Sequence, residues 1–231
     1  LSMNKYIFIL FSFVLLSYGI AIGKYELFPY QFIKMLKNTI AQPEHKNPNW
    51  SDTVRLFEYF SPKADVAFVG DSITRAGRWS EFFPSLKVIN RGIASDRASD
   101  IALRINSVLS AQPSKIFIMV GINDIQTNVT VPKILENYEL IINTLMKENI
   151  EVVIQSTIQC EVSICGVKVV ESVNELNKGL KQLALKSGAK FLSLGDLSDR
   201  RGLNLKYTFD GFHLTAEGYI YWVEKIEPLV N

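Results

Sequence analysis

The sequence predicts a three-layer α/β fold, with five parallel strands in one sheet and helices on both faces. Three observations predict it. From Ala64 onward, short runs rich in Val, Ile and Phe alternate with longer stretches of helical periodicity. The short runs are apolar nearly throughout, as expected of strands covered on both faces. Strands that alternate with helices build right-handed crossover units and hence a parallel sheet.

The predicted strands cover residues 65–70, 86–90, 115–121, 150–157 and 190–194. Between them, 96–109 places Ile101, Ile105 and Val108 on one helical face. Residues 131–148 repeat Ile134, Tyr138, Ile141, Ile142 and Leu145, and 169–186 repeat Val173, Leu176, Leu180, Leu183 and Ala184. Gly188 follows as a helix stop, and 215–230 forms the last helix with Thr215 as its N-cap. A flavodoxin-like strand order, 2-1-3-4-5, is the commonest arrangement for such a chain. Upstream, residues 24–60 read as a helical lead-in and linker broken by Pro43 and Pro48, with Ser51-Asp52-Thr53 capping a short helix that carries Leu56, Phe57 and Phe60. His45 reads as a solvated linker residue. The expected organisation is therefore an N-terminal segment over 1–23, the lead-in over 24–60 and the α/β domain over 61–231.

Residues Tyr6 to Ile22 form an uncharged run of 17 behind Lys5, at the short edge of what a membrane span needs. Ala21-Ile22-Gly23 also offers small residues where a signal peptidase reads. The expectation is a membrane anchor, or a cleaved signal peptide, with the rest of the chain outside the cytoplasm. Formal charge is +2 from 25 basic and 23 acidic residues, with no basic block, so nucleic acid is not an expected partner. Cys160 and Cys165 lie too far from any histidine to make a zinc site. A disulfide closing that short loop suits an oxidising compartment, and two free thiols are the alternative.

The chemistry gathers at strand ends. Ser72 follows the first strand, Gly92 the second and Asn123 the third, while Asp210 and His213 follow the fifth. Open parallel sheets bind ligands beyond the carboxyl ends of their strands, so these groups should converge on one edge. A serine hydroxyl needs a base, and His213 is one of only two histidines. Asp210 would orient the ring, and the N–H groups of Ser72 and Gly92 with the Asn123 amide would hold an oxyanion. Asp71 and Asp124 are expected to brace loops by accepting from backbone N–H groups. Packing accounts for Trp79, and solvent exposure for Arg75 and Arg91. Each motif taken singly also reads as an ordinary turn; the four in order at strand ends do not.

Gly70-Asp71-Ser72, Gly92, Gly121-Ile-Asn123-Asp124 and Asp210-Gly-Phe-His213 resemble the four blocks of the SGNH, or GDSL-type, hydrolases. The flanking text, Val69-Gly-Asp-Ser-Ile-Thr74 with Trp79 and Ile89-Asn-Arg-Gly-Ile93, is similar to the platelet-activating-factor acetylhydrolase-like branch, and the likeness covers about 64–228. The resemblance implies a three-layer, flavodoxin-like hydrolase domain that needs no metal or other cofactor, a Ser72–His213–Asp210 triad, and an oxyanion hole of Ser72, Gly92 and Asn123. Ser95-Asp96-Arg97 departs from the small residues that often follow the block glycine. No Gly-x-Ser-x-Gly elbow is present, which disfavours the α/β-hydrolase alternative.

These readings make a serine esterase outside the cytoplasm the leading expectation, acting on a short-chain acyl ester of a cell-envelope carbohydrate. Lysophospholipase, lipase or thioesterase activity, acyl transfer to a glycan hydroxyl, and glycan binding without turnover are the alternatives. The partners expected are a small-molecule or glycan ester and, through residues 1–23, a membrane.

Overall fold

A computed structural model describes residues 45–230. The apolar run at 6–22, with its expected anchor or signal role, lies outside the described residues. Among those described, no helix is long and apolar enough to cross a membrane.

The sheet consists of β1 (Val66–Gly70), β2 (Val88–Gly92), β3 (Lys115–Met119), β4 (Glu151–Gln155) and β5 (Lys190–Leu192). All are parallel, in the order β2-β1-β3-β4-β5. That is the 2-1-3-4-5 order, the commonest arrangement for a chain of this alternating kind. Alternate residues along each strand face opposite sides. Ala67, Val69, Ile116, Ile118, Val152 and Ile154 pack under one helical layer. Val66, Phe68, Phe117, Met119 and Val153 pack under the other.

The first layer is dominated by α7 (Val131–Lys147) and α9 (Val167–Ser187). The former buries Ile134, Tyr138, Ile141, Ile142 and Leu145, a stripe at helical spacing, and opens with Pro132 in its first turn. The latter ends at Gly188, whose φ of +80° makes the left-handed stop foreseen in sequence. On the opposite face, α10 (Ala216–Val230) sets Trp222 and Ile226 against Trp79 and Phe68. Trp79 stacks on Phe68 at 4.0 Å between centroids, so packing accounts for that tryptophan.

Several elements differ from the sequence expectation. The stretch 96–109 divides into α4 (Ala98–Leu103) and α5 (Asn106–Leu109). The helix stops at Arg104, whose buried guanidinium turns back to the Asp96 carboxylate and the Arg91 carbonyl. Three short helices, α2 (Ser72–Ala76), α3 (Trp79–Phe82) and α6 (Ile122–Gln126), follow the ends of strands or turns directly. α8 (Val162–Cys165) and the small hairpin of β6 (Ser198–Asp199) and β7 (Gly202–Leu203) were likewise not foreseen. Elements of two to five residues are too short to display a period.

The lead-in helix α1 (Trp50–Tyr59) begins after Asn49, earlier than the Ser51-Asp52-Thr53 cap suggested. It packs onto the domain. Trp50 Nε1 donates to Asp96 Oδ1 at 2.8 Å, and the Phe57 ring lies 4.5 Å beneath the Arg91 guanidinium. Arg91 is therefore buried rather than solvent-exposed. His45 is also not a free linker residue: its ring stacks on Trp50, and its side chain is only 9% exposed.

Cys160 and Cys165 are joined by a disulfide around α8. This loop docks on the segment that carries His213, since Glu161 N donates to the Gly211 carbonyl at 2.8 Å.

Candidate active site

The nucleophile candidate sits at a sharp exit from the sheet. At the end of β1 the chain turns through Asp71, whose backbone is extended, and Ser72 is the first residue of α2. Asp71 caps this helix, its Oδ1 accepting from Ile73 N at 3.0 Å. A side chain at Gly92 in the adjacent β2 would collide with the Arg75 backbone of α2, so glycine there allows the helix to lie close. Ser72 is half-buried at this corner.

The base approaches from the opposite end of the chain. Residues 208–213 form a tight loop in which Gly211 adopts φ +86° and Gly211 N donates to Thr208 Oγ1. Asp210 Oδ1 accepts from the N–H groups of Phe212 and His213, at 2.9 and 2.7 Å. Its Oδ2 lies 2.6 Å from His213 Nδ1. Facing a carboxylate, Nδ1 carries the proton, which leaves the Nε2 lone pair directed at Ser72 Oγ, 3.0 Å away. Burial opposes charge on Asp210, but the His213 N–H, the imidazole and the Phe212 N–H outweigh it and hold the carboxyl down at about 2. It stays ionised throughout the neutral range.

On the other side of Ser72 the structure corrects one sequence expectation. Gly92 N–H is already committed, donating to Asn90 Oδ1 at 2.9 Å, and its residue is part of β2. The open donor lies three residues further on. Residues 93–96 form a turn closed by Asp96 N to Ile93 O at 3.2 Å and pinned to the end of β1 by Ile93 N to Gly70 O at 3.0 Å. Ser95, third in that turn, has φ +69°, and its N–H makes no hydrogen bond among the described residues. A turn with positive φ at its third residue ordinarily calls for glycine or asparagine. Serine there hides the signal, and the Ser95-Asp96-Arg97 departure was its only trace in sequence.

Asn123, at the start of α6, donates one amide hydrogen to the Asp96 carbonyl at 3.0 Å. The second amide hydrogen is left for a ligand. Asp96 thus anchors both oxyanion candidates, and it is fully buried. Its carboxylate is neutralised by Arg104 and accepts from Trp50 Nε1. His45 Nε2 lies 3.2 Å from Asp96 Oδ1 and 3.6 Å from Asp100 Oδ2. These three groups have the proximity of a metal site. However, Asn47 N–H donates to His45 Nδ1, so the neutral ring's proton lies on Nε2 and no lone pair faces the carboxylates. Asp100 is held by Arg97. Both carboxylates are therefore spent in ion pairs with arginines, Asp96 with Arg104 and Asp100 with Arg97, behind the oxyanion turn.

Asp71 and Asp124 both bond backbone. Asp124 accepts from Ala98 N through both oxygens, at 3.2 and 3.0 Å. Burial pushes each carboxyl up to about 7.

A hydroxyl, an imidazole and a carboxylate in hydrogen-bond sequence, beside a turn that offers an open N–H and an amide, can carry out acyl transfer. The family model described as GDSL-like lipase/acylhydrolase matches residues 68–220, most of the chain. This chain belongs to the GDSL-like lipase/acylhydrolase family. As a member it is a carboxylic ester hydrolase. Solved structures share its fold. A Streptococcus pneumonia protein provisionally named a platelet activating factor superposes with a TM-score of 0.72 at 23% identity, over 87% of this chain and 99% of its own. A Bacteroides fragilis protein provisionally named an acylhydrolase gives 0.69 at 24% identity, over 83% and 98%. An acetyl xylan esterase gives 0.64 at 22% identity, over 72% and 99%. No protein of curated function matches the chain in sequence.

Proposed function

We propose that this hydrolase removes short acyl groups, acetyl foremost, from esters of carbohydrate at the cell envelope. The observation that carries the reading is the His213 ring, placed between Ser72 Oγ at 3.0 Å and Asp210 at 2.6 Å. Ser72 Oγ attacks the acyl carbon while its proton passes to His213 Nε2, and Asp210 stabilises the imidazolium. The carbonyl oxygen takes up negative charge and is held by Ser72 N–H, Ser95 N–H and the free Asn123 amide hydrogen. Collapse breaks the bond to the alcohol, which leaves with the proton from His213. Water, deprotonated by the same ring, then attacks the acyl-serine, and Ser72 regains its proton.

A location outside the cytoplasm is supported by the apolar run from Tyr6 to Ile22 and by the Cys160–Cys165 disulfide. The carbohydrate carrier is supported by the acetyl xylan esterase among the proteins of the same fold. One observation favours a second reading, lipid ester hydrolysis. A cavity of about 470 Å³ between α2, α3 and α10 is walled mainly by apolar groups, among them Ala76, Phe82, Tyr219 and Val223, with Arg78 and Glu224 also in its lining, and suits a longer acyl chain.

Substituting Ser72→Ala is expected to abolish both p-nitrophenyl acetate turnover and labelling by a fluorophosphonate; full turnover in the variant would end the proposal. A p-nitrophenyl ester series from acetate to octanoate separates the two readings. Rates that fall with chain length support the short-acyl enzyme, and rates that rise favour the lipid reading.

A further inference from the structure

Next to the oxyanion turn, the lead-in segment and α2 enclose a second cavity, of about 400 Å³. Its floor is the end of β2 at Gly92 and Ile93, and its walls include Asn47, Asn49, Thr53 and Arg75. Arg75 stands three residues after Ser72 in α2, so the two side chains share one helical face.

Arg75 differs from the other arginines near the site. Arg78 pairs with Glu81, Arg97 with Asp100 and Arg104 with Asp96. Arg91 is buried over Phe57. The exposed Arg75 guanidinium has no hydrogen bond or ion pair among the described residues. Around it, the Asn49 side chain is likewise uncommitted, and Asn47 spends only its amide oxygen, on Asn49 N. Asn90 is fully used, donating to the carbonyls of Thr74, Arg75 and Gly77 and so fixing the α2 wall. No carboxylate lines the cavity. It offers one cation and several amide donors, and it meets the site through Ile93 of the oxyanion turn and Arg75 of the helix that carries Ser72.

We propose that this cavity is the subsite for the alcohol half of the ester, and that its natural occupant is a polyol bearing an anionic group, carboxylate or phosphate, gripped by Arg75. A guanidinium donates to either oxyanion in a two-pronged fashion, and amides suit hydroxyl groups. The inference rests on the esterase reading and narrows its substrate class. The lead-in residues supply one wall, so this specificity is built by a segment outside the four catalytic blocks.

The test compares three acetyl esters: an O-acetylated uronic-acid oligosaccharide, its neutral methyl ester and O-acetylated glycerol phosphate. The wild-type protein should favour an anionic ester over the methyl ester by about 10–100-fold in kcat/KM, mostly through KM. In Arg75→Gln that preference should collapse towards unity, and in Arg75→Lys it should persist in part. Preference for the uronate or for the phosphate identifies the source of the anion. Equal turnover of acid and methyl ester by the wild type, with the ratio unmoved in Arg75→Gln, overturns the proposal. Calorimetry with the deacetylated oligosaccharide reads the subsite apart from turnover: salt-sensitive binding lost in Arg75→Gln supports it, and no binding by the wild type refutes it. Failure of the wild type on p-nitrophenyl acetate would instead strike the esterase reading.

Discussion

Asn123 shows how a side chain acquires a role from what it has already spent. Its amide has two hydrogens, and the bond to the Asp96 carbonyl at 3.0 Å consumes one while fixing the direction of the other. A donor held in place before charge develops costs no reorganisation at the moment of reaction. Asn123→Ala is therefore expected to lower kcat by about 10²–10³-fold with little change in KM. Steady-state kinetics on p-nitrophenyl acetate checks this, and an unaltered kcat would remove the amide from the oxyanion site. Its backbone partner was harder to find. Gly92 stands in the family block and looks like the open donor, yet its N–H is held by Asn90 Oδ1. Hydrogen-bond commitment between a strand residue and a side chain two positions away leaves no mark in composition, whereas the free N–H of Ser95 sits in a turn where serine conceals the need for positive φ.

At the scale of elements, what was legible depended on length. α7 and α9, of 17 and 21 residues, repeat their apolar stripe often enough to be read within two residues of their ends. The helices that actually deliver Ser72 and Asn123 have five residues each and show no period, so only the motifs marked their places. The lead-in helix was foreseen but its docking was not, because α1 buries no residue fully and its contacts are specific rather than periodic. Those contacts reach the site. Trp50 donates 2.8 Å to Asp96 Oδ1, and Asp96 in turn carries the turn with Ser95 and the bond to Asn123. Replacing Trp50 with Phe keeps a ring to stack on His45 but deletes the indole N–H. The expected result is a fall in kcat of about three- to tenfold with KM held, because the hydrogen bond to a charged acceptor positions donors rather than substrate. A loss confined to KM would assign α1 to the cavity wall alone.

The molecule as a whole collects its chemistry at one edge because every strand of the sheet runs the same way, and the alternation of strands and helices was sufficient to foresee that. The same edge also gathers buried charge, which sequence cannot weigh: Asp71 and Asp124 read as loop braces, and they are, but their burial sets how stability depends on pH. In the unfolded chain each carboxyl ionises near 3.8, whereas burial holds each up to about 7 when folded. Between about pH 4 and 7 the folded protein retains protons that the unfolded chain has released, so raising the pH favours unfolding. Asp210 works in the opposite sense. Its folded value of about 2 lies below 3.8, so the stability it contributes is present above about pH 4 and is lost as the pH falls towards 2. Together these groups place maximal stability on the acid side of neutrality. Urea midpoints should decline from pH 5 to pH 8, and Asp71→Asn, which keeps an acceptor for Ile73 N but has no proton to lose, should flatten part of that decline. A slope identical to wild type would mean that Asp71 ionises in the folded protein as freely as in the unfolded chain, and that burial at the head of α2 is not what governs the acid–base balance beneath Ser72.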